Sequence, residues 1–189
     1  MDLWTVSFMK MIFLTENSVH KEGLVPEHGM SVYVEKGELN FNDNVLIFGN
    51  VATNSAGGIY VESGANVVLD NVITNTVNDY NHDEPLVYSN TAENGGFIYN
   101  KGTVNYVSGK VLYNYAQKAS AIYNDGTLLL GSVKVKNNFY EAQSIIYNNG
   151  TLEIFGNTEI YNNQNIYLEK VNTTAYHSIT IAKENYVND

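Results

Sequence analysis

Residues 121–130 read AIYNDGTLLL, and the phrase returns as IIYNNGTLEI at residues 145–154. An earlier copy, FIYNKGTVNY, occupies residues 97–106. Gly102, Gly126 and Gly150 therefore stand 24 residues apart, and Tyr99, Tyr123 and Tyr147 keep the same step. Looser copies lie upstream, SVYVEKGELNF at residues 31–41 and GIYVESGANVVL at residues 58–69. A period of this length marks a stacked array in which each repeat is one unit of structure.

Within one unit, AIYN and TLLL alternate apolar and polar positions, which is the period of a strand. DGT between them reads as a tight turn, with Gly126 free to adopt positive φ. Gly131-Ser132 reads as a second corner and VKVKNN as a third strand. No window repeats apolar residues at helical spacing, and Pro occurs only at Pro26 and Pro85. Leucine-rich, ankyrin and tetratricopeptide units fit poorly, because their helical halves are missing. The pattern predicts an all-β chain: a right-handed parallel β-helix, or solenoid, with about 24 residues and three short strands per rung. Each strand pairs with its equivalent one turn away, at about 4.8 Å.

Aligning the units predicts three inward columns. The first is Val32, Ile59, Ile98, Ile122, Ile146 and Ile166. The second is Leu39, Val67, Val104, Leu128 and Leu152. The third is Phe48, Ile73, Leu112, Val135 and Ile160. A buried aliphatic side chain contributes about 1.5–3 kcal/mol before chain entropy is subtracted, so one rung alone is insufficient and stability must come from stacking. An asparagine ladder is expected after the third strand: Asn50, Asn75, Asn114, Asn138 and Asn162. Its expected role is structural, with side chains bonding along the stack.

The domain organisation follows. Residues 1–30 are the least repetitive and are expected to cap the N-terminal opening or to supply leading strands. Residues 31–182 are the repeats, and residues 183–189 a tail. Residues 76–85 (TVNDYNHDEP) break the register and are expected to leave the coil as a loop.

Composition narrows the function. The chain has 189 residues, 20 acidic and 10 basic, and a formal net charge of −10. All basic residues are Lys, which argues against nucleic acid, because phosphate recognition needs a basic face. There is no Cys, hence no disulfide and no thiolate metal site. No segment is long and apolar enough to span a bilayer. No export signal is visible, so a secreted chain of this kind is expected to be a piece of a longer protein.

The units NVATNSAGGIYVESG, NTAENGGFIYNKGTV and NYAQKASAIYNDGTLLL resemble the repeats of bacterial right-handed parallel β-helix surface proteins. These include the chlamydial polymorphic membrane proteins and adhesin-like proteins of Gram-positive gut bacteria. The segment NQNIYLEKVNTTAYHSITIA (residues 163–182) resembles a last rung of the latter. The likeness spans roughly residues 29–182. The Gly-Gly-Ala-Ile signature is complete nowhere: it reads Gly-Gly-Ile at 57–59, Gly-Gly-Phe-Ile at 95–98 and Ser-Ala-Ile at 120–122. The resemblance implies an extracellular or cell-surface location and an adhesin-like role in binding or presentation.

Candidate chemistry is sparse. Tyr33, Tyr60, Tyr99, Tyr123 and Tyr147, with Tyr167 as a further member, should form an outward stripe. Aromatic faces bury much area, so the stripe is a candidate for binding glycans or a protein on a host or neighbouring cell. The same rings would also stabilise the sheet as cross-strand pairs. Asp79, Asp83 and Glu84 carry cation-binding chemistry, but their spacing matches no known loop, and no metal or cofactor is expected. The alternatives are a polysaccharide lyase or glycoside hydrolase, or a phage-type fibre fragment. Polysaccharide chemistry needs close carboxylates or a carboxylate with a base, whereas Asp43, Glu62, Asp70, Glu93, Glu141, Glu153 and Glu169 are scattered. A non-catalytic protein is therefore expected.

Overall fold

The structure is a computed structural model that describes residues 3–7, 12–14, 32–42, 45–74, 89–138, 144–161, 166–168 and 179–181. The chain opens with β1 (Leu3–Ser7) and β2 (Ile12–Leu14). The first full rung is β3 (Val32–Val34), β4 (Gly37–Asn42) and β5 (Val45–Ile47). The second is β6 (Ile59–Val61), β7 (Ala65–Leu69) and β8 (Val72–Ile73), followed by short β9 (Thr91–Ala92). The third is β10 (Ile98–Asn100), β11 (Thr103–Leu112) and β12 (Tyr115–Ala116). The fourth is β13 (Ala119–Asn124) and β14 (Thr127–Lys136). The fifth is β15 (Ser144–Asn148), β16 (Thr151–Ile154) and β17 (Glu159–Tyr161), with β18 (Ile166–Leu168) and β19 (Ile179–Ile181) beyond.

Every strand pairing among the described residues is parallel, and no helix occurs among them. One sheet runs β18-β15-β13-β10-β6-β3. A larger one runs β1-β4-β7-β11-β14-β16-β19, with β2, β5, β8 and β17 alongside. This is a parallel β-solenoid. Equivalent residues meet 24 apart, as in Ile98 with Ile122 and Ile122 with Ile146.

The first two columns stand as the repeat implies. Val32, Ile59, Ile98, Ile122, Ile146 and Ile166 pair in sequence, and so do Leu39, Val67, Val104, Leu128 and Leu152. The third column differs. Val135 pairs with Val111 and Ile160, and Lys110, not Leu112, stands beside Ile73. The inward residues are Ile47, Thr74, Val111 and Val135, all fully buried. Choosing Phe48, Ile73 and Leu112 slips the register by one, and a one-residue slip moves a side chain to the opposite face.

Two corners also differ from expectation. β11 and β14 each run ten residues, so the second and third strands join through a bend instead of a turn. At that bend a Cβ on Gly131 would strike the Val107 carbonyl of the rung below. Gly126 does not take positive φ. Its lack of a side chain serves close stacking: a Cβ there would collide with the Gly102 carbonyl, and one on Gly150 with that of Gly126. A fourth side, absent from the three-strand reading, is built by β9 pairing β12 over a stack of small side chains that includes Ala52 and Ala92.

The N-terminal strands add a rung. β1 pairs with β4 from Leu3 opposite Glu38, and β2 pairs with β5 from Ile12 opposite Val45. They extend the larger sheet as leading strands, and the rest of residues 1–30 lies outside the described residues. The segment 76–85 lies outside the described residues, as does residues 183–189.

Candidate functional site

The aliphatic-Tyr pairs that open each rung alternate faces, so an inward Ile or Val forces its neighbouring Tyr outward. Parallel pairing in register then sets ring upon ring. Tyr33, Tyr60, Tyr99, Tyr123, Tyr147 and Tyr167 stack with successive centroid distances of 5.3, 5.3, 4.6, 4.8 and 4.8 Å and interplanar angles of 7–17°. Stacking consumes the ring faces. Tyr60, Tyr123 and Tyr147 are only 3, 9 and 5% exposed, whereas Tyr33 and Tyr167 at the two ends are 51 and 42% exposed. The interior of the stripe is thus a second, smaller core, with Ala119 packed against Tyr123 and Tyr147. Contact with a ligand ring face is possible only at the ends.

Charged groups line the edge of the stack. Lys118 Nζ lies 3.9 Å from the Tyr147 ring centroid and 5.0 Å from that of Tyr123, and donates to Tyr123 Oη at 3.3 Å. Such cation–π contacts contribute about 0.5–2 kcal/mol. Tyr99 Oη donates to Asp125 Oδ2 at 2.9 Å, and Asn149 Nδ2 donates to Asp125 Oδ1 at 3.0 Å. Burial, then the Asp125 carboxylate, pushes the Tyr99 hydroxyl well above the usual phenol range. Lys101 sits 5.5 Å from the Tyr60 centroid and pairs with Glu62 at 3.6 Å. Its hydrogen bond to the Tyr60 hydroxyl raises the Lys101 ammonium above its ordinary value. The Ser63 backbone N–H, donating at 3.1 Å, holds the Glu62 carboxyl below its own.

Two asparagine ladders lie inside. In one, Asn50 Nδ2 donates to Asn90 Oδ1, Asn90 to Asn114 and Asn114 to Asn138, each at 2.9 Å. Asn90 holds the position expected of Asn75, because the second rung closes only after the insert. Asn75 and Asn162 lie outside the described residues. The residue before the ladder Asn turns a left-handed corner: Gly49, Tyr113 and Asn137 have φ of 69, 54 and 53°. The other ladder escaped the sequence reading. Asn100 Nδ2 donates to Asn124 Oδ1 at 2.7 Å, and Asn124 to Asn148 at 2.6 Å, all three fully buried. The signal was the Asn after each repeated Tyr, at the same 24-residue step. Both ladders satisfy buried amides head to tail, and aligned chains of this kind strengthen one another.

Asp79, Asp83 and Glu84 lie outside the described residues. Among the described residues no group of three or more His, Cys, Asp or Glu side chains is placed to hold a metal ion. No helix of the described residues is long and apolar enough to cross a membrane. No protein-family model, no curated protein and no solved structure matches this chain.

Proposed function

We propose that this protein is a non-catalytic binding and presentation scaffold of the adhesin type, carried on a cell surface or secreted. Its partner is a glycan or protein on a host or neighbouring cell. One observation carries the reading: a six-ring tyrosine stack runs up the outside of the coil and ends in an exposed ring at each end. A rigid stack holds those terminal rings with little entropy left to lose, which favours aromatic contact with a sugar ring or a partner side chain. The repeat resemblance to bacterial surface proteins supports the location.

Screening the purified chain against immobilised glycans and surface-protein extracts tests the proposal, with Tyr33→Ala and Tyr167→Ala in parallel. Binding weakened by one or both substitutions is the expected result. Binding indifferent to both, or turnover of a polysaccharide, would overturn it.

A further inference from the structure

The tyrosine stack is not electrically uniform. Lys118 Nζ lies 3.9 Å from the Tyr147 ring centroid and 5.0 Å from that of Tyr123, and Lys101 Nζ lies 5.5 Å from that of Tyr60. Tyr99, between Tyr60 and Tyr123, meets a carboxylate instead, and its hydroxyl donates to Asp125 Oδ2 at 2.9 Å. Among the described residues the Asp125 side chain bonds Tyr99 and Asn149, both neutral donors, so its negative charge is not offset by a cation there. The carboxylate near Tyr60 is placed differently. Glu62 pairs with Lys101 at 3.6 Å and accepts from the Ser63 N–H.

This asymmetry decides where the stack can lose an electron. A phenol that has lost one is a strong acid, so its surroundings must stabilise positive charge and take a proton. An ammonium over a ring opposes the charge and offers no acceptor for the proton. A carboxylate does both. In the core, Tyr106 donates to the Val72 carbonyl, which is too weak a base for the task. Tyr99 also lies in direct ring contact with its neighbours, at 5.3 Å from Tyr60 and 4.6 Å from Tyr123, with interplanar angles of 7°. A hole formed on a neighbouring ring therefore has a short path to it. Burial, then Asp125, keeps the resting Tyr99 hydroxyl protonated, so its proton stays in place until an electron leaves.

We propose that Tyr99 and Asp125 form a one-electron redox site, at which a one-electron oxidant draws an electron from the tyrosine stack and Tyr99 keeps the hole as a neutral phenoxyl radical. The oxidant gains one electron and Tyr99 loses one. The Tyr99 Oη–H bond breaks, and its proton forms an O–H bond on Asp125 Oδ2. The new carboxylic acid then donates back to the phenoxyl oxygen. An electron donor that reaches the stack reverses both transfers. The net charge of −10 draws cationic oxidants to the chain. The site is separate from any role of the scaffold in binding a glycan or protein.

The probe is tris(bipyridine)ruthenium, photo-oxidised with persulfate in the presence of the full chain at neutral pH. Transient absorption follows phenoxyl formation, and EPR on freeze-trapped samples identifies the settled radical. The wild type should give one long-lived phenoxyl signal, formed more slowly in heavy water, and high-field EPR should show a hydrogen bond to its oxygen. Tyr99→Phe keeps the ring in the stack and should abolish that signal. Asp125→Asn keeps an acceptor but removes the base, and should abolish the signal or shorten its life. Tyr113→Phe, outside the stack, should leave it unchanged. The wild-type measurements stand even where a variant folds poorly. A settled radical on Trp4 or on a tyrosine outside the stack would overturn the proposal. So would a phenoxyl without the hydrogen bond, a signal that survives Tyr99→Phe, or one whose rate and lifetime ignore Asp125→Asn.

Discussion

Single residues in this protein are constrained mostly by their copies one rung away. Asn124 bonds Asn100 and Asn148 away from water and also accepts from the Gly126 N–H. Asn124→Leu leaves those buried partners unsatisfied, and a lost partner costs about 1–3 kcal/mol per group. Chemical denaturation should show a loss of about 2–4 kcal/mol, larger than for an exposed Asn such as Asn157. Tyr113 carries the opposite lesson. Its φ of 54° is strained for a bulky side chain, and the equivalent corners use Gly49 and Asn137. Tyr113→Asn should raise stability by about 0.5–1 kcal/mol, seen as a higher denaturation midpoint. The tyrosines also set a pH limit. Tyr99 and Tyr106 are held protonated in the fold, Tyr106 by burial, with its hydroxyl donating to the Val72 carbonyl at 2.7 Å. An unfolded phenol releases its proton near pH 10, so between that value and the higher folded one the native state binds more protons than the unfolded state. Stability should be flat up to about pH 10 and fall above it. Tyr99→Phe should soften the fall, and a pH series of melting curves reads the difference.

At the scale of an element, the insert in the second rung is the clearest case. Its two ends meet one side chain on the rung above. Asn114 Nδ2 donates to Thr74 Oγ1 at 3.1 Å, and Asn90 Nδ2 donates to Asn114 Oδ1 at 2.9 Å. Thr74 and Asn90, on either side of residues 75–88, thus meet at one corner of the coil. Removing residues 76–85 should cost under about 1 kcal/mol, because loop-closure entropy changes slowly with length. A cooperative loss of the fold on deletion would show that these residues make contacts the ladder needs. The bent strands β11 and β14 are less forgiving, since a Cβ on Gly109 would collide with the Val72 carbonyl and one on Gly131 with that of Val107.

Over the whole molecule, stability is a sum over rung interfaces. β1 and β2 add one interface below β4 and β5. Deleting residues 1–14 removes that interface and leaves two strand edges open, which is a template for aggregation. The shortened chain should melt earlier and associate on concentration. Light scattering and a melting curve decide it, and an unchanged monomer would mean that β1 and β2 contribute nothing to the stack.

The 24-residue repeat was enough to set the solenoid, the first two core columns and the tyrosine stripe, because parallel in-register pairing turns a sequence period directly into a spatial column. Pairing distance alone also made ring-on-ring stacking necessary. Other features were decided only in three dimensions. Asn90 replaced Asn75 because sequence spacing does not say on which side of an insert a rung closes. Ile47 and Val111 replaced Phe48 and Leu112 because the facing of a residue depends on the backbone turn at the corner before it. Gly126 is small for the sake of the Gly102 carbonyl beneath it, a contact between residues that are distant in the chain. The tyrosine stripe, which reads in sequence as one outward surface, is open mainly at Tyr33 and Tyr167, with Tyr99 partly exposed between them, because the ring faces of the inner tyrosines are covered by their neighbours.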